Sequence, residues 1–505
     1  MSTVAFEYRS GNRAKITSEH LTMIRSRLSI YNKNARFIRK KNPFFPERMF
    51  CITKSGGFEI GLYYEIANAI KEMDMHPEIS MTRDFVSKLV PQFDLPAGYE
   101  LEQLNLAPYD YQVDAVKKMF SNGRGTILVG TGGGKTLIIS LFLATLFKYR
   151  GIKRTLIVVP TLQLIDQTYS DMIEYGFDPG LISRWSSDHK FQNTNIIIAG
   201  VDILQSKKSD LSFLSDIELL MIDEVHILKK NNEINSLLSD INTPNRFGFT
   251  GTLPEEMQDQ WNIFGKIGRV IYERSSSELR AEKYISQVHV NIIKITYNAD
   301  SIAELMDAGG KKGPTYMQEL EYLTLHEFRN SIVGILAKAT KQNTLVMVDR
   351  IAHGELLESE LRKITGKKVY FIQGSVDVEI REKIRALIEA NSDVICIAIS
   401  KIFSTGINIK NIHNIIFCTP GKAKVKLIQS IGRGLRLHKD KTRLTIYDIA
   451  DNFQYSDKHL IQRTALYDSE KINYEIIEIV EKDGTKERKS EAYIKEFYQE
   501  DGETD

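Results

Sequence analysis

At 505 residues the chain is too long for one hydrophobic core and is expected to divide into about three domains. An apolar content of 42% and a charged content of 26% are ordinary for a soluble globular protein, and no apolar run reaches the roughly 18 residues of a membrane-spanning helix. Net charge is only +2 but uneven: residues 1–60 carry 12 Lys/Arg against 4 Asp/Glu and residues 470–505 carry 6 against 12, which points to a polyanionic partner near the N-terminus.

Residues 1–100 read as a small, basic α+β domain. It holds a helix near 18–29, a basic and aromatic segment, and a glycine-punctuated strand region at 56–62. In the segment, Arg25, Arg27 and Lys33 to Phe45 interleave charge with rings, which suits phosphate contact plus base stacking or a wedge at a fork. Arg36, Arg39, Lys40 and Lys41 are its candidate DNA contacts; the competing reading is a solvated helix with its aromatics in the core. Pro91 and Pro96 mark a linker.

From about 105 to 285 strand, turn and helix repeat, with strands expected at 126–129, 155–159, 195–199, 218–222 and 246–250. A second set follows at 344–348, 368–372, 394–398, 414–418 and 444–447. Continuous apolar runs of this kind are parallel strands covered on both faces. The expected fold class is therefore α/β, two tandem parallel-sheet blocks after the α+β head, with domains 1–100, 101–285, 286–455 and 456–505. The last of these is a helical segment, 458–479, and an acidic tail; 308–315 is a basic loop carrying Lys311 and Lys312. Cys51, Cys396 and Cys418 show neither metal spacing nor a disulfide framework, and Cys396 and Cys418 lie in strand-like runs as buried thiols. A polar N-terminus without an apolar stretch predicts a cytoplasmic protein, in the host cytoplasm if viral, with no membrane partner.

Chemistry begins at Val129-Gly130-Thr131-Gly132-Gly133-Gly134-Lys135-Thr136, between an expected strand and an expected helix. Glycines let successive backbone N–H groups converge on an anion, the helix N-terminus adds positive dipole, Lys135 supplies a mobile charge, and Thr136 can ligate magnesium. Upstream, Tyr111 and Gln112 offer a stacking face and an amide that suits adenine; the plain alternative is a helix start capped by Asp110. Downstream, Asp223-Glu224-Val225-His226 follows a strand, placing Asp223 for a nucleotide-bound Mg2+ and Glu224 for the attacking water. Thr250-Gly251-Thr252 ends the next strand, where its hydroxyls can link the hydrolysis site to the rest of the domain. In the second block, Gln429, Arg433 and Arg436 share one helix face, four and three residues apart, as a γ-phosphate grip. The loop holding Ser404, Thr405, Gly406 and Asn408 offers hydroxyls and N–H groups to nucleotide or to nucleic-acid phosphate.

In this order the motifs resemble the superfamily 2 helicases and translocases over roughly 105–450, and within them the phage UvsW-like recombination helicases. Gly130 stands where that superfamily commonly has proline, and Thr-Gly-Thr replaces its Ser/Thr-Ala-Thr. The resemblance implies two RecA-like lobes with ATP and Mg2+ between them, and ATP-driven movement on branched or duplex DNA, with RNA–DNA hybrids as a further substrate. It implies fork regression, Holliday-junction branch migration and R-loop or D-loop unwinding in recombination, replication or repair. Pro160, Thr161, Gln163 and Gly200 then match strand-binding loops, although each also suits an ordinary strand-to-helix turn. A monomer is expected. The alternatives are an RNA helicase, a restriction-system motor subunit and an ATP-gated clamp that never translocates.

Overall fold

A computed structural model describes residues 3–32, 35–151, 154–206, 210–229, 232–310, 313–373, 378–400, 411–419 and 443–482. Ser404, Thr405, Gly406, Asn408, Gln429, Arg433, Arg436, Lys311, Lys312 and the acidic tail lie outside them. The chain forms two compact units, Met1–Gly130 with Gly134–Ser275, and Ser276–Asp505 with Thr131–Gly133.

The first unit opens with β1 (Thr3–Ser10) and β2 (Arg13–Ser18), an antiparallel hairpin. A separate two-stranded ribbon follows, β3 (Ser29–Tyr31) with β4 (Arg48–Phe50). β5 (Gly57–Glu59) joins β2, and β6 (Glu78–Met81) runs parallel to β1. Alternation along β1 buries Val4 and Phe6, and Phe6 meets Phe58, Tyr63 and Phe85 in an aromatic core.

The rest of the unit is a seven-stranded, all-parallel sheet: β7 (Arg124–Val129), β8 (Thr155–Val159), β9 (Ile182–Trp185), β10 (Ile196–Gly200), β11 (Leu219–Asp223), β12 (Arg246–Thr250) and β13 (Val270–Arg274). Their order is β13-β7-β12-β11-β8-β10-β9. Five were expected; β9 and β13, at the two edges, were not.

The head is not tethered loosely. Trp261 and Phe264, on a helix after β12, pack against the head's core. Gly61 approaches so closely that a Cβ there would lie 2.0 Å from the Phe264 carbonyl oxygen. Asn12 donates to the Gly265 carbonyl at 2.8 Å and to Glu59 Oε2 at 2.7 Å. Lys266 Nζ meets Glu59 Oε1 at 2.6 Å and also Ser239 Oγ. Arg246 is fully buried and donates to the carbonyls of Thr243, Leu238, Lys266 and Ile241. Arg124 Nη2 reaches Asn12 Oδ1 at 3.0 Å. Burial pushes the Arg124 guanidinium down to about 9 and that of Arg246 to about 10, while Glu59 opposes both shifts. The expected linker at Pro91 and Pro96 is likewise pinned: Phe93 is buried against Phe120, Phe142 and Phe247.

The second unit holds another seven-stranded parallel sheet: β14 (Gln287–Thr296), β15 (Thr344–Val348), β16 (Val369–Ile372), β17 (Ile395–Ile399), β18 (Asn414–Phe417), β19 (Arg443–Asp451) and β20 (Asn473–Val480). The order is β16-β17-β15-β18-β19-β14-β20. Cys396 and Cys418 are buried in it as expected, and burial raises the Cys396 thiol to about 12. One expectation fails. The helical segment over 458–479 is a helix only across Gln454–Ser469; Asn473–Val480 is a strand that pairs in parallel with β14 along its whole length, and Ile477 and Ile479 pack against the core of the second unit. The two parallel sheets and the α+β head are the fold class the sequence predicts. No helix among the described residues is long and apolar enough to cross a membrane.

Candidate active site

β7 is buried along its whole length and delivers the chain into the glycine-rich turn. Gly130 N–H donates to the Arg274 carbonyl at 2.9 Å, tying the turn's start to β13. Gly132 and Gly134 have φ of +85° and +71°, a region costly for other residues. Gly134 caps the helix Lys135–Arg150, so Lys135 and Thr136 open it. A Cβ on Gly134 would sit 2.4 Å from Gln112 Nε2. Gln112 therefore lies over the turn, only 2% exposed, and its Oε1 accepts the Tyr109 N–H at 2.9 Å. Tyr109 and Tyr111 stack with ring centroids 5.9 Å apart.

β11 carries Asp223 and Glu224 to the same end of the sheet. Asp223 Oδ1 accepts the Glu224 N–H at 2.9 Å, and Glu224 adopts the left-handed conformation, φ +52°. That turn aims Glu224 at Lys135: Nζ to Oε1 is 3.2 Å, with side chains 10% and 12% exposed. Glu224 Oε2 lies 3.3 Å from His226 Nδ1, which is 2.9 Å from Thr250 Oγ1. Thr250 Oγ1 donates to the Thr252 carbonyl at 2.9 Å. With that hydroxyl proton committed, His226 Nδ1 must be the protonated nitrogen, donating to Thr250 and shared with Glu224. The structure thus joins Lys135, Glu224, His226 and Thr250 into one chain of contacts across the C-terminal ends of β7, β11 and β12. His226 was named in the motif but not singled out; its place two residues after Glu224 was the only local signal.

Pro160 and Thr161 follow β8, and Gly200 ends β10, the strand beside it, with Gly200 opposite Val159. Thr161 Oγ1 accepts the Leu164 N–H at 3.4 Å and so caps the helix Leu162–Glu174. On that helix Gln163 Oε1 is buried with no hydrogen-bond partner among the described residues. These four residues gather on the sheet's C-terminal edge, on the far side of β11 from the glycine-rich turn. Arg36, on the short helix Ala35–Ile38, and Arg39, Lys40 and Lys41 after it are elsewhere, exposed between β3 and β4.

Residues 105–255 match the family described as Type III restriction enzyme, res subunit, and residues 327–438 the helicase conserved C-terminal domain. The chain is 30% identical over 397 residues to the ATP-dependent DNA helicase uvsW of Enterobacteria phage T4, covering 73% of this chain and 76% of that one. It is 32% identical over 190 residues to the DNA 3'-5' translocase XPB2 of Sulfurisphaera tokodaii, or 37% of this chain and 40% of the relative. In fold it is similar to the ATP-dependent Type ISP restriction-modification enzyme LlaBIII bound to DNA, with a TM-score of 0.55 at 13% identity, over 84% of this chain and 34% of that chain.

Proposed function

Because the chain belongs to the superfamily 2 helicases, in their UvsW-like branch, we propose that its ATP-driven work is the remodelling of branched DNA: fork regression, Holliday-junction branch migration, and R-loop or D-loop unwinding. It is an ATP-hydrolysing helicase that acts as a DNA helicase or translocase. The observation that carries the catalytic reading is the Lys135–Glu224 pair. Without nucleotide, the two groups satisfy each other. Triphosphate draws Lys135 to its own oxygens, and Glu224, still held by His226, is left to orient the attacking water.

Mg2+ suits the oxygens on hand: the Thr136 hydroxyl and the Asp223 carboxylate, the latter buried at the end of β11. Among the described residues no cluster of three or more His, Cys, Asp or Glu could hold a metal. Two protein oxygens with phosphate oxygens and water is the usual way this ion is bound. Bound there, it would neutralise charge on the phosphates. Gly130 to Gly134 would cradle those phosphates, and Tyr111 and Gln112 would flank the base. Gln429, Arg433 and Arg436 would grip the γ-phosphate, and Gly406 and Asn408 would also contact the nucleotide. Pro160, Thr161, Gln163, Gly200, Ser404 and Thr405 would grip the strand, and Arg36, Arg39, Lys40 and Lys41 the duplex.

Lys135→Ala and Glu224→Gln should each lower DNA-stimulated ATP hydrolysis by about 10²-fold or more. Intact turnover in Lys135→Ala would refute the site. Substrate class is tested by ATP-dependent remodelling of a Holliday junction, a fork with matched arms and a plain 3′-tailed duplex. The reading expects the first two to be processed faster.

A further inference from the structure

The β3–β4 ribbon ends in a loop whose tip carries Phe44, 95% exposed, more than any other large apolar side chain described. The loop is tied by its own bonds. Phe44 N–H donates to Asn42 Oδ1 at 3.2 Å, Phe45 N–H to the Asn42 carbonyl at 3.0 Å, and Arg39 Nε to the Pro43 carbonyl at 3.1 Å. Arg39 also pairs with Glu47. Ile38 and Phe50 are themselves partly exposed on the same ribbon, yet the Phe44 ring does not fold onto them for shelter. Arg36, Lys40 and Lys41 stand exposed on the same β3–β4 connection.

Cations of this kind meet phosphates, and an unsheltered ring among them meets the flat face of a base. In continuous duplex every such face is already stacked. Free faces occur where a duplex ends or branches. We infer that Phe44 is a pin that stacks on the base pair at a DNA branch point, so that the head selects branched over continuous duplex. The head is joined to the first parallel sheet through Glu59, Lys266, Asn12 and Arg124, the sheet whose strand ends carry Pro160, Thr161 and Gly200. The inference rests on reading the chain as a DNA-remodelling motor.

The test uses the full chain with Phe44→Ala and Phe44→Trp. The DNA is a fork carrying 2-aminopurine either at the branch-point pair or well inside one arm. Wild type should change the fluorescence of the branch-point probe and leave the internal one unaltered. Phe44→Ala should abolish that change and weaken fork binding roughly 5- to 150-fold, the range for loss of one base–aromatic stack. Its affinity for unbranched duplex of the same sequence, closed at both ends by hairpin loops, should alter less than about twofold, and Phe44→Trp should restore both fork readouts. Equal weakening on fork and unbranched duplex, or an unchanged fork affinity, would overturn the pin. Failure of the wild type to hydrolyse ATP in response to any DNA would instead sink the motor reading; fork remodelling that survives Phe44→Ala with full affinity sinks the pin alone.

Discussion

Thr250 is buried, and its hydroxyl donates to the Thr252 carbonyl, accepts the Thr252 N–H at 3.4 Å and accepts from His226. Thr250→Val keeps the volume and removes that acceptor, so that among the described residues Glu224 is left to orient His226. Steady-state kinetics with saturating DNA should show kcat for ATP hydrolysis down by about tenfold, one lost orienting hydrogen bond, with KM within about twofold. A raised KM at unchanged kcat would contradict the role given to this contact. Gly134→Ala probes the other wall. Its φ of +71° and the 2.4 Å approach to Gln112 Nε2 predict a loss of about 1–3 kcal/mol, measured by chemical denaturation of the full chain. Both halves of this site were legible in the sequence because each is contiguous, Gly130 to Thr136 and Asp223 to His226. The link through Thr250 was legible only as a possibility, since it needs β12 to lie between β7 and β11, and no local pattern orders strands.

Edge position explains which elements escaped notice. Strands buried on both faces, such as Leu156 to Val159 or Ile196 to Ala199, read as solid apolar runs. β9, Ile-Ser-Arg-Trp, and β13, Val-Ile-Tyr-Glu-Arg, are edge strands with polar residues that reach solvent, so their runs are broken. β20 carried Glu475, Glu478 and isoleucines at spacings that fit either period, and only its pairing to β14 decides the matter. The head's attachment was invisible in sequence because its partners lie far apart along the chain, Glu59 with Lys266 and Asn12 with Gly265. Glu59→Ala leaves Lys266 buried without its carboxylate. Urea unfolding should then show a loss of about 3–5 kcal/mol, with hydrogen exchange accelerating in β1 and β2 and in the helix Met257–Lys266 together. Faster exchange confined to the head would mean the two do not share one cooperative unit.

At the scale of the whole chain, the two units carry buried bases of different kinds. The second holds His353, packed beside Arg329 with Nε2 3.1 Å from Asn330 Oδ1, and burial pushes its value down to about 3. Unfolded, it would titrate near 6.5. Below that the unfolded chain takes up a proton the folded one refuses, so this contribution is complete at neutral pH and shrinks as pH falls toward about 3. Wild type should lose about 2 kcal/mol more than His353→Gln between pH 7 and 5, read as the difference of their denaturation curves. Equal slopes would show that His353 is not the group responsible. The second sheet has one more property. Among the described strands of this sheet β14 is made first, at Gln287–Thr296, yet its neighbours β19 and β20 come after all the others in the chain, with Gln287 opposite Arg443 and Thr296 opposite Val480. While the ribosome adds the intervening chain, β14 has both edges bare. The sheet closes on that side only once Asn473–Val480 has been made, so a chain cut before residue 473 would carry β14 as an open, adhesive edge.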